Sequence, residues 1–219
     1  MIPIICIVGA SDSGKTTFLE KLIPELTRRG YRVGALKHDA HGFEMDREGK
    51  DTWRLRQAGA NTVAISSPTR VAAIRTVEKE LEPGEIAARL FWSEDILITE
   101  GFKRSPFPKI EVFRKEIEPE PICGPGDNLI ALVTDDPVSS DLPRFSFGEV
   151  SKVADFIEGR YLADRKTPGI LVQLDGKQFP MNDFVRDFLI GGITGMLSRL
   201  RGWEPGKRIT IHIRPEDAD

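Results

Sequence analysis

Five apolar residues in succession, Ile4 to Val8, end at Gly9 and give way to the polar run Ser11 to Lys15. An apolar run without polar alternation predicts a strand covered on both faces, as in a parallel sheet. From Thr16 to Arg29, the residues Phe18, Leu19, Leu22, Ile23 and Leu26 recur at helical spacing, Arg28 and Arg29 fill the last turn, and Gly30 supplies a stop. Pro24 falls inside that helix and predicts a kink. Tyr31 to Leu36 resumes a strand, so residues 3–36 read as one βαβ unit with parallel strands and a right-handed crossover.

The alternation continues with a helix at Asp51 to Ala58, strands at Asn61 to Ser66 and Arg70 to Val77, a helix at Gly84 to Phe91, and a short apolar strand at Ile96 to Thr99. Further strands are expected at Ile110 to Phe113 and Leu129 to Val133. A helix follows from Glu149 to Leu162, with Val150, Val153, Phe156, Ile157 and Tyr161 on one face. Strands alternating with helices define the α/β class. After Lys166 to Gly169 the pattern changes. Ile170 to Leu174, Asp175-Gly176 and Gln178 to Pro180 predict a hairpin. Asn182 can cap a helix carrying Phe184, Val185, Phe188, Leu189, Ile193, Leu197 and Leu200 and ending at Gly202. Ile209, Ile211 and Ile213 alternate with Thr210 and His212, the pattern of a half-buried strand. The expected division is therefore 1–166 and 167–219, the second part a small α+β appendage of about 50 residues, too few to be stable without packing on the first part or on a partner chain.

Charge and cysteine content narrow the function. Thirty-one Lys and Arg against 34 Asp and Glu leave a net charge of −3, so no positive field exists to hold a nucleic acid. Cys6 and Cys123 are the two cysteines, which excludes a disulfide framework and a Cys-rich zinc site. Met1 to Ala10 lacks a basic leader and a cleavage-like stretch, and no apolar run approaches the roughly 20 residues that cross a bilayer. A cytoplasmic protein with no membrane or nucleic-acid partner is expected.

Gly9-Ala10-Ser11-Asp12-Ser13-Gly14-Lys15-Thr16 fits the pattern G-x-x-x-x-G-K-[ST] and lies between a buried strand and a helix start. Phosphate oxygens need several convergent donors, and such a loop supplies them as backbone N–H groups backed by the positive end of a helix. Asp12 and Ser13 belong to this cradle, Lys15 adds a charge at the β and γ phosphates, Thr16 offers a hydroxyl to Mg²⁺, and Thr17 is placed to meet the α phosphate. The fold expected is thus P-loop NTPase-like, a mostly parallel sheet with helices on both faces. A partner acid belongs at the end of a second buried strand. Asp95 and Glu100 flank Ile96 to Thr99, and gathering of catalytic groups at strand carboxyl ends favours Glu100, which with Lys15 forms the expected catalytic pair.

Lys37, His38, Asp39 and His41 also follow a strand end, on the edge expected for Lys15 and Glu100. Phosphate or substrate contacts by Lys37 and His38 suit them better than zinc, since no further His or Cys cluster completes four ligands. A charged stretch of Asp46, Gly49, Lys50, Asp51, Trp53 and Arg54, and a second of Lys103, Arg104 and Lys109, would suit an anionic second substrate or an acidic partner. No Asn-Lys-x-Asp run for guanine is present, and Thr134-Asp135-Asp136 is placed to reach a base edge.

The loop GASDSGKTT, the run LKHDAHGFEMDREGKDTWRLRQAGA from Leu36 to Ala60, DILITEGFKRSPFPKIEVFR from Asp95 to Arg114 and ALVTDDP from Ala131 to Pro137 together resemble the MobB family of molybdopterin-guanine dinucleotide biosynthesis adapter proteins. The resemblance covers most of residues 1–165. It implies a GTP-binding homodimer of the signal-recognition and MinD-like branch of P-loop proteins, which supports the guanylyltransferase MobA as it attaches GMP to molybdopterin; molybdenum-insertion proteins are further candidate partners. Carried over, Gly14, Lys15, Thr16 and Thr17 become the GTP phosphate site, Thr16 with Glu100 the Mg²⁺ site, and Lys37, His38 and Asp46 line the cleft. Residues 170–215 extend beyond the family's compact core, as a dimer or partner-docking module.

Two other functions compete with an adapter of slow GTPase activity. A small-molecule kinase would use Lys37 and His38 to orient an acceptor, and a metallochaperone-like NTPase would need more metal ligands than two Cys and three His provide. The residues alone do not choose between GTP and ATP.

Overall fold

The first apolar run forms β1 (Ile4–Val8), every residue of which is buried, in a computed structural model that describes residues 2–39, 42–43, 45–124, 126–163, 169–170, 172–174, 177–205, 209–211 and 213. The chain divides into two compact units, one of residues 1–165 with 175–177, the other of residues 166–174 and 178–219. In the first, β1 is followed by α1 (Lys15–Arg28), β2 (Val33–Lys37), α2 (Asp51–Gln57), β3 (Thr62–Ser66), β4 (Val71–Arg75), α3 (Pro83–Leu90), β5 (Ile96–Glu100), β6 (Lys109–Val112), β7 (Leu129–Val133), β8 (Arg144–Phe145) and α4 (Val150–Ile157). A π-helical turn at Glu158–Leu162 prolongs α4.

Six strands build one parallel sheet in the order β2-β5-β1-β6-β7-β8. The parallel course of β1 and β2 agrees with the sequence, but the two are not neighbours, because β5 lies between them. Composition explains the placement: Ile96 to Thr99 are buried throughout, whereas β2, with Ala35 and Lys37 exposed, tolerates an edge. Strands β3 and β4 leave the sheet and form an antiparallel hairpin of their own, with Thr62 opposite Arg75 and Ser66 opposite Val71. The two-residue strand β8 escapes sequence reasoning, being too short for a periodic signal.

Alternation along β1 sorts the core into two layers. Ile5 and Ile7 pack with Phe18, Leu22 and Leu26 of α1 and with Val153 and Ile157 of α4. Ile4, Cys6 and Val8 face the other layer, with Ala87 of α3, Phe102 and Cys123. Burying each of these large side chains contributes about 1.5–3 kcal/mol. Pro24 is carried within α1, which continues to Arg28 as one element. Both Pro24 and Glu20, whose carbonyl loses its amide partner, are exposed, so water can satisfy that oxygen. The helix closes with Gly30 N–H on the Thr27 carbonyl and Tyr31 N–H on that of Leu26. Arg29 then ties α1 to α4: its guanidinium meets Glu25, Asp155 and Glu158, and Glu158 also accepts from Tyr31 Oη at 2.7 Å.

Beyond α4 the chain forms two short paired strands, β9 (Gln173–Leu174) and β10 (Lys177–Gln178), and then α5 (Asp183–Leu197). Asn182 Oδ1 accepts from Val185 N–H at 2.9 Å, as a cap should. The helix ends at Leu197, short of the expected Gly202. Ile209 to Ile211 and Ile213 form no strand: among the described residues none pairs with them, and Ile213 is 85% exposed. The expected Asp175-Gly176 turn, the Lys166 to Pro168 junction and His212 lie outside the described residues. No residue of α5 is buried, and Phe184 and Phe188 stack on each other in the open. Among the described residues, no helix is long and apolar enough to cross a membrane.

Candidate functional site

The sheet delivers residues 9–17 to its carboxyl edge as a closed turn. Gly9 leaves β1 at φ 144°, and a Cβ there would stand 2.3 Å from the Val112 carbonyl oxygen, so β6 passes too close for any side chain. Asp12 adopts a left-handed conformation at φ 61°, and Gly14 at φ 94° forms the cap position of α1. No side chain caps that helix and no acid lies in its first turn, so its leading N–H groups are open to an anion. Ser13 is fully buried, and among the described residues its hydroxyl oxygen has no hydrogen-bond partner.

Lys15 folds back over the loop and donates Nζ hydrogens to the carbonyls of Gly9, at 3.1 Å, and Ala10. Burial lowers its pKa below the ordinary lysine value, while the Glu100 and Asp12 carboxylates oppose that shift. Thr16 Oγ1 donates to Glu100 Oε2 at 2.8 Å, and Thr17 is exposed on the same first turn. Lys37 and Glu100 are register partners in β2 and β5, and the ammonium lies 3.6 Å from Glu100 Oε1. His38 N–H donates to the Glu100 carbonyl at 2.9 Å. The ring of His38 stacks on Phe102 at 4.5 Å and meets Glu80 through Nε2. The structure thus brings Lys15, Thr16, Lys37, His38 and Glu100 together. His41 lies outside the described residues, among which no group of three or more His, Cys, Asp or Glu side chains could hold a metal.

Asp95 stands at the opposite end of β5 and accepts from the backbone and guanidinium of Arg32. Thr16 and Glu100, two hard oxygen donors side by side next to the loop, fit Mg²⁺, whose remaining positions phosphate and water would fill.

Other sequence candidates turn inward. Lys109, expected to serve an anionic substrate or partner, is only 1% exposed; its ammonium bonds the carbonyls of Ser105, Phe107 and Asp127. A strand with apolar neighbours on both sides offers it no solvent, so it serves as an internal tie. Two residues on, Glu111 is equally buried and accepts from the N–H groups of Ile122, at 2.6 Å, and Cys123, at 3.0 Å. Asp46 accepts from Thr52 at 2.7 Å, pairs with Arg56 at 3.5 Å and, with Phe43, Met45, Trp53 and Ile74, lines a cavity of ≈250 Å³. Asp135 and Asp136 hold the N–H groups of Phe147 and Lys115.

One residue at the loop escaped the sequence reading. Arg114, two positions beyond β6, donates from Nε to the Ser13 carbonyl at 3.2 Å, and its guanidinium lies 4.2 Å above the Phe147 ring. The rule that selected Glu100 and Lys37, a charged residue at a strand's carboxyl end, would have found it.

A buried strand, a glycine loop and a helix start at the carboxyl edge of a six-stranded parallel sheet with helices on both faces define a P-loop NTPase-like protein. Residues 4–135 match the family described as "Molybdopterin guanine dinucleotide synthesis protein B". The chain belongs to that family, MobB. It is 37% identical over 158 residues to the molybdopterin-guanine dinucleotide biosynthesis adapter protein of Haemophilus influenzae, spanning 72% of this chain and 88% of that protein. Among solved structures, a molybdopterin-guanine biosynthesis protein B (mobB) superposes with a TM-score of 0.56 at 32% identity, covering 71% of this chain and 98% of the other. Bacillus subtilis MobB superposes with a TM-score of 0.58 at 28% identity, covering 73% and 98%.

Proposed function

We propose that this protein is a GTP-binding adapter in the synthesis of molybdopterin guanine dinucleotide, acting as a homodimer beside the guanylyltransferase MobA and hydrolysing GTP slowly. The observation that carries the reading is the loop at Gly9 to Thr17, whose uncapped helix start, Lys15 and Thr16–Glu100 pair supply the amides, the cation and the oxygen donors that a Mg²⁺-triphosphate needs. Lys15 would exchange its loop carbonyls for the β and γ phosphates. Mg²⁺, held by Thr16 and Glu100, would neutralise phosphate charge. Lys37 and His38 border the same edge and would meet the outer phosphates or the partner's substrate. The adapter function is carried over from the similar protein of Haemophilus influenzae, a molybdopterin-guanine dinucleotide biosynthesis adapter protein.

The test is a titration of the full chain with GTP and ATP in the presence of Mg²⁺, with Lys15→Ala as control, followed by incubation with γ-labelled GTP. Binding of GTP that Lys15→Ala abolishes, with label released slowly as inorganic phosphate, supports the reading. No affinity for either nucleotide, or label passed to a pterin or another metabolite, overturns it.

A further inference from the structure

The parallel sheet splits the surroundings of the loop into two flanks. On one side of β1 stand β5 and β2 with Glu100 and Lys37; on the other stand β6, β7 and β8 with Arg114, Thr134 and the segment leading to Phe147. The Thr16–Glu100 pair fixes the metal end of a bound triphosphate on the first flank. A nucleotide seated across the loop must then send its α phosphate and nucleoside to the second flank.

On that flank Arg114 is set in place before any ligand arrives. Its Nε is bonded to the Ser13 carbonyl, its guanidinium carbon lies 4.2 Å over the Phe147 ring, and Nη1 lies 3.6 Å from an exposed Glu116 carboxylate. Phe147 is in turn packed against the core, and its N–H is held by Asp135 Oδ1 at 3.2 Å. Among the described residues Nη2 has no hydrogen-bond partner, and it sits 3.8 Å from where a Cβ would project at Gly14. A guanidinium already held over an aromatic ring and bonded through Nε loses little freedom on binding an anion, and its free N–H₂ group matches a phosphate oxygen.

Resting on the GTP-binding reading above, we infer that Arg114, seated on Phe147, is the nucleoside-side contact of the site, donating to the α phosphate and flanking the sugar and base. Lys15 and Glu100 handle the distal phosphates; Arg114 handles the end that remains after hydrolysis. Lysine could not replace it, since an ammonium cannot lie flat on the ring, hold the Ser13 carbonyl and present a planar edge at once.

The experiment compares Arg114→Ala, Arg114→Lys, Phe147→Leu and Lys15→Ala in the full chain, titrated with Mg²⁺ and GTP, GDP or inorganic pyrophosphate, with a thermal melt of each variant. Arg114→Ala is expected to weaken GTP and GDP by the same factor, about tenfold, as loss of one charge-assisted hydrogen bond predicts. Pyrophosphate, which fills only the distal positions, should bind it as it binds the wild type. Arg114→Lys should recover little, and Phe147→Leu should show a smaller loss with the same pattern. A loss confined to GTP would make Arg114 a γ-phosphate contact, an equal loss for pyrophosphate would make it a loop brace, and no loss at all would remove it from the site; each overturns the inference. If Lys15→Ala also left GTP binding intact, the GTP-binding reading itself would fail.

Discussion

Thr16 Oγ1 donates to Glu100 Oε2 across 2.8 Å, joining the second residue of α1 to the last residue of β5, 84 positions away in sequence. In the proposed function these two side chains would hold Mg²⁺. Glu100→Gln is therefore expected to reduce the Mg²⁺ enhancement of nucleotide affinity by roughly tenfold or more. Asp95→Asn, at the far end of β5 and paired with Arg32, should change it by less than about twofold. Titrations with and without Mg²⁺ compare the two, and the reverse order would move the metal site.

Lys109→Met keeps the length of the side chain and deletes its charge, leaving the carbonyls of Ser105, Phe107 and Asp127 without their shared donor. Each unpaired buried acceptor costs about 1–3 kcal/mol, so a destabilisation of about 3 kcal/mol or more is expected in urea unfolding. A change below about 1 kcal/mol would show that water replaces the ammonium.

Glu25 carries the acid dependence of the α1–α4 contact. Hydrogen bonds from Arg28 and Arg29 lower its pKa from 4.5 to about 2. A carboxyl whose pKa falls on folding adds stability that is complete above its unfolded value, here 4.5, and is lost as pH drops toward about 2. Glu158, lowered by Tyr31 and Arg29, shifts the same way. Urea midpoints measured between pH 6 and pH 3 should fall more steeply in the wild type than in Arg29→Met, and matching slopes would refute the link.

Both thiols should be silent in the folded protein. Cys6 is fully buried, and burial, followed by the nearby Glu111 carboxylate, pushes the Cys123 thiol up to about 12. At pH 8 that leaves about one Cys123 in ten thousand as thiolate. Counting with a thiol reagent should find no fast-reacting cysteine in the native protein and two after denaturation; a fast native thiol would place one of them at the surface.

The sequence carried far in the first unit. Residues 4–16 disclosed a strand, a loop and a helix because a covered strand, two glycines and a basic residue at a helix start each leave a local mark. The place of Glu100 at a strand's carboxyl end was legible for the same reason: it closes an apolar run. What stayed hidden depends on which elements become neighbours. Nothing local states that β5 inserts beside β1, or that the charges at Lys109 and Glu111 turn into the interior to satisfy backbone groups. Arg114 could be found by its place just past a strand's carboxyl end, but its seat over Phe147, 33 positions later, left no local mark. The Ile209 to Ile213 alternation named a strand, yet a strand requires a partner, and among the described residues none stands there.

The seating of β5 between β1 and β2 also orders events in time. While the chain is being synthesised, β1, α1 and β2 emerge first but have no direct edge to share, so their ladder must wait until residues 96–100 leave the ribosome and slide in as the central rung. Until then the apolar flanks of two strands stay open to solvent and to other chains. A fragment ending before Ile96 would therefore be expected to aggregate rather than fold.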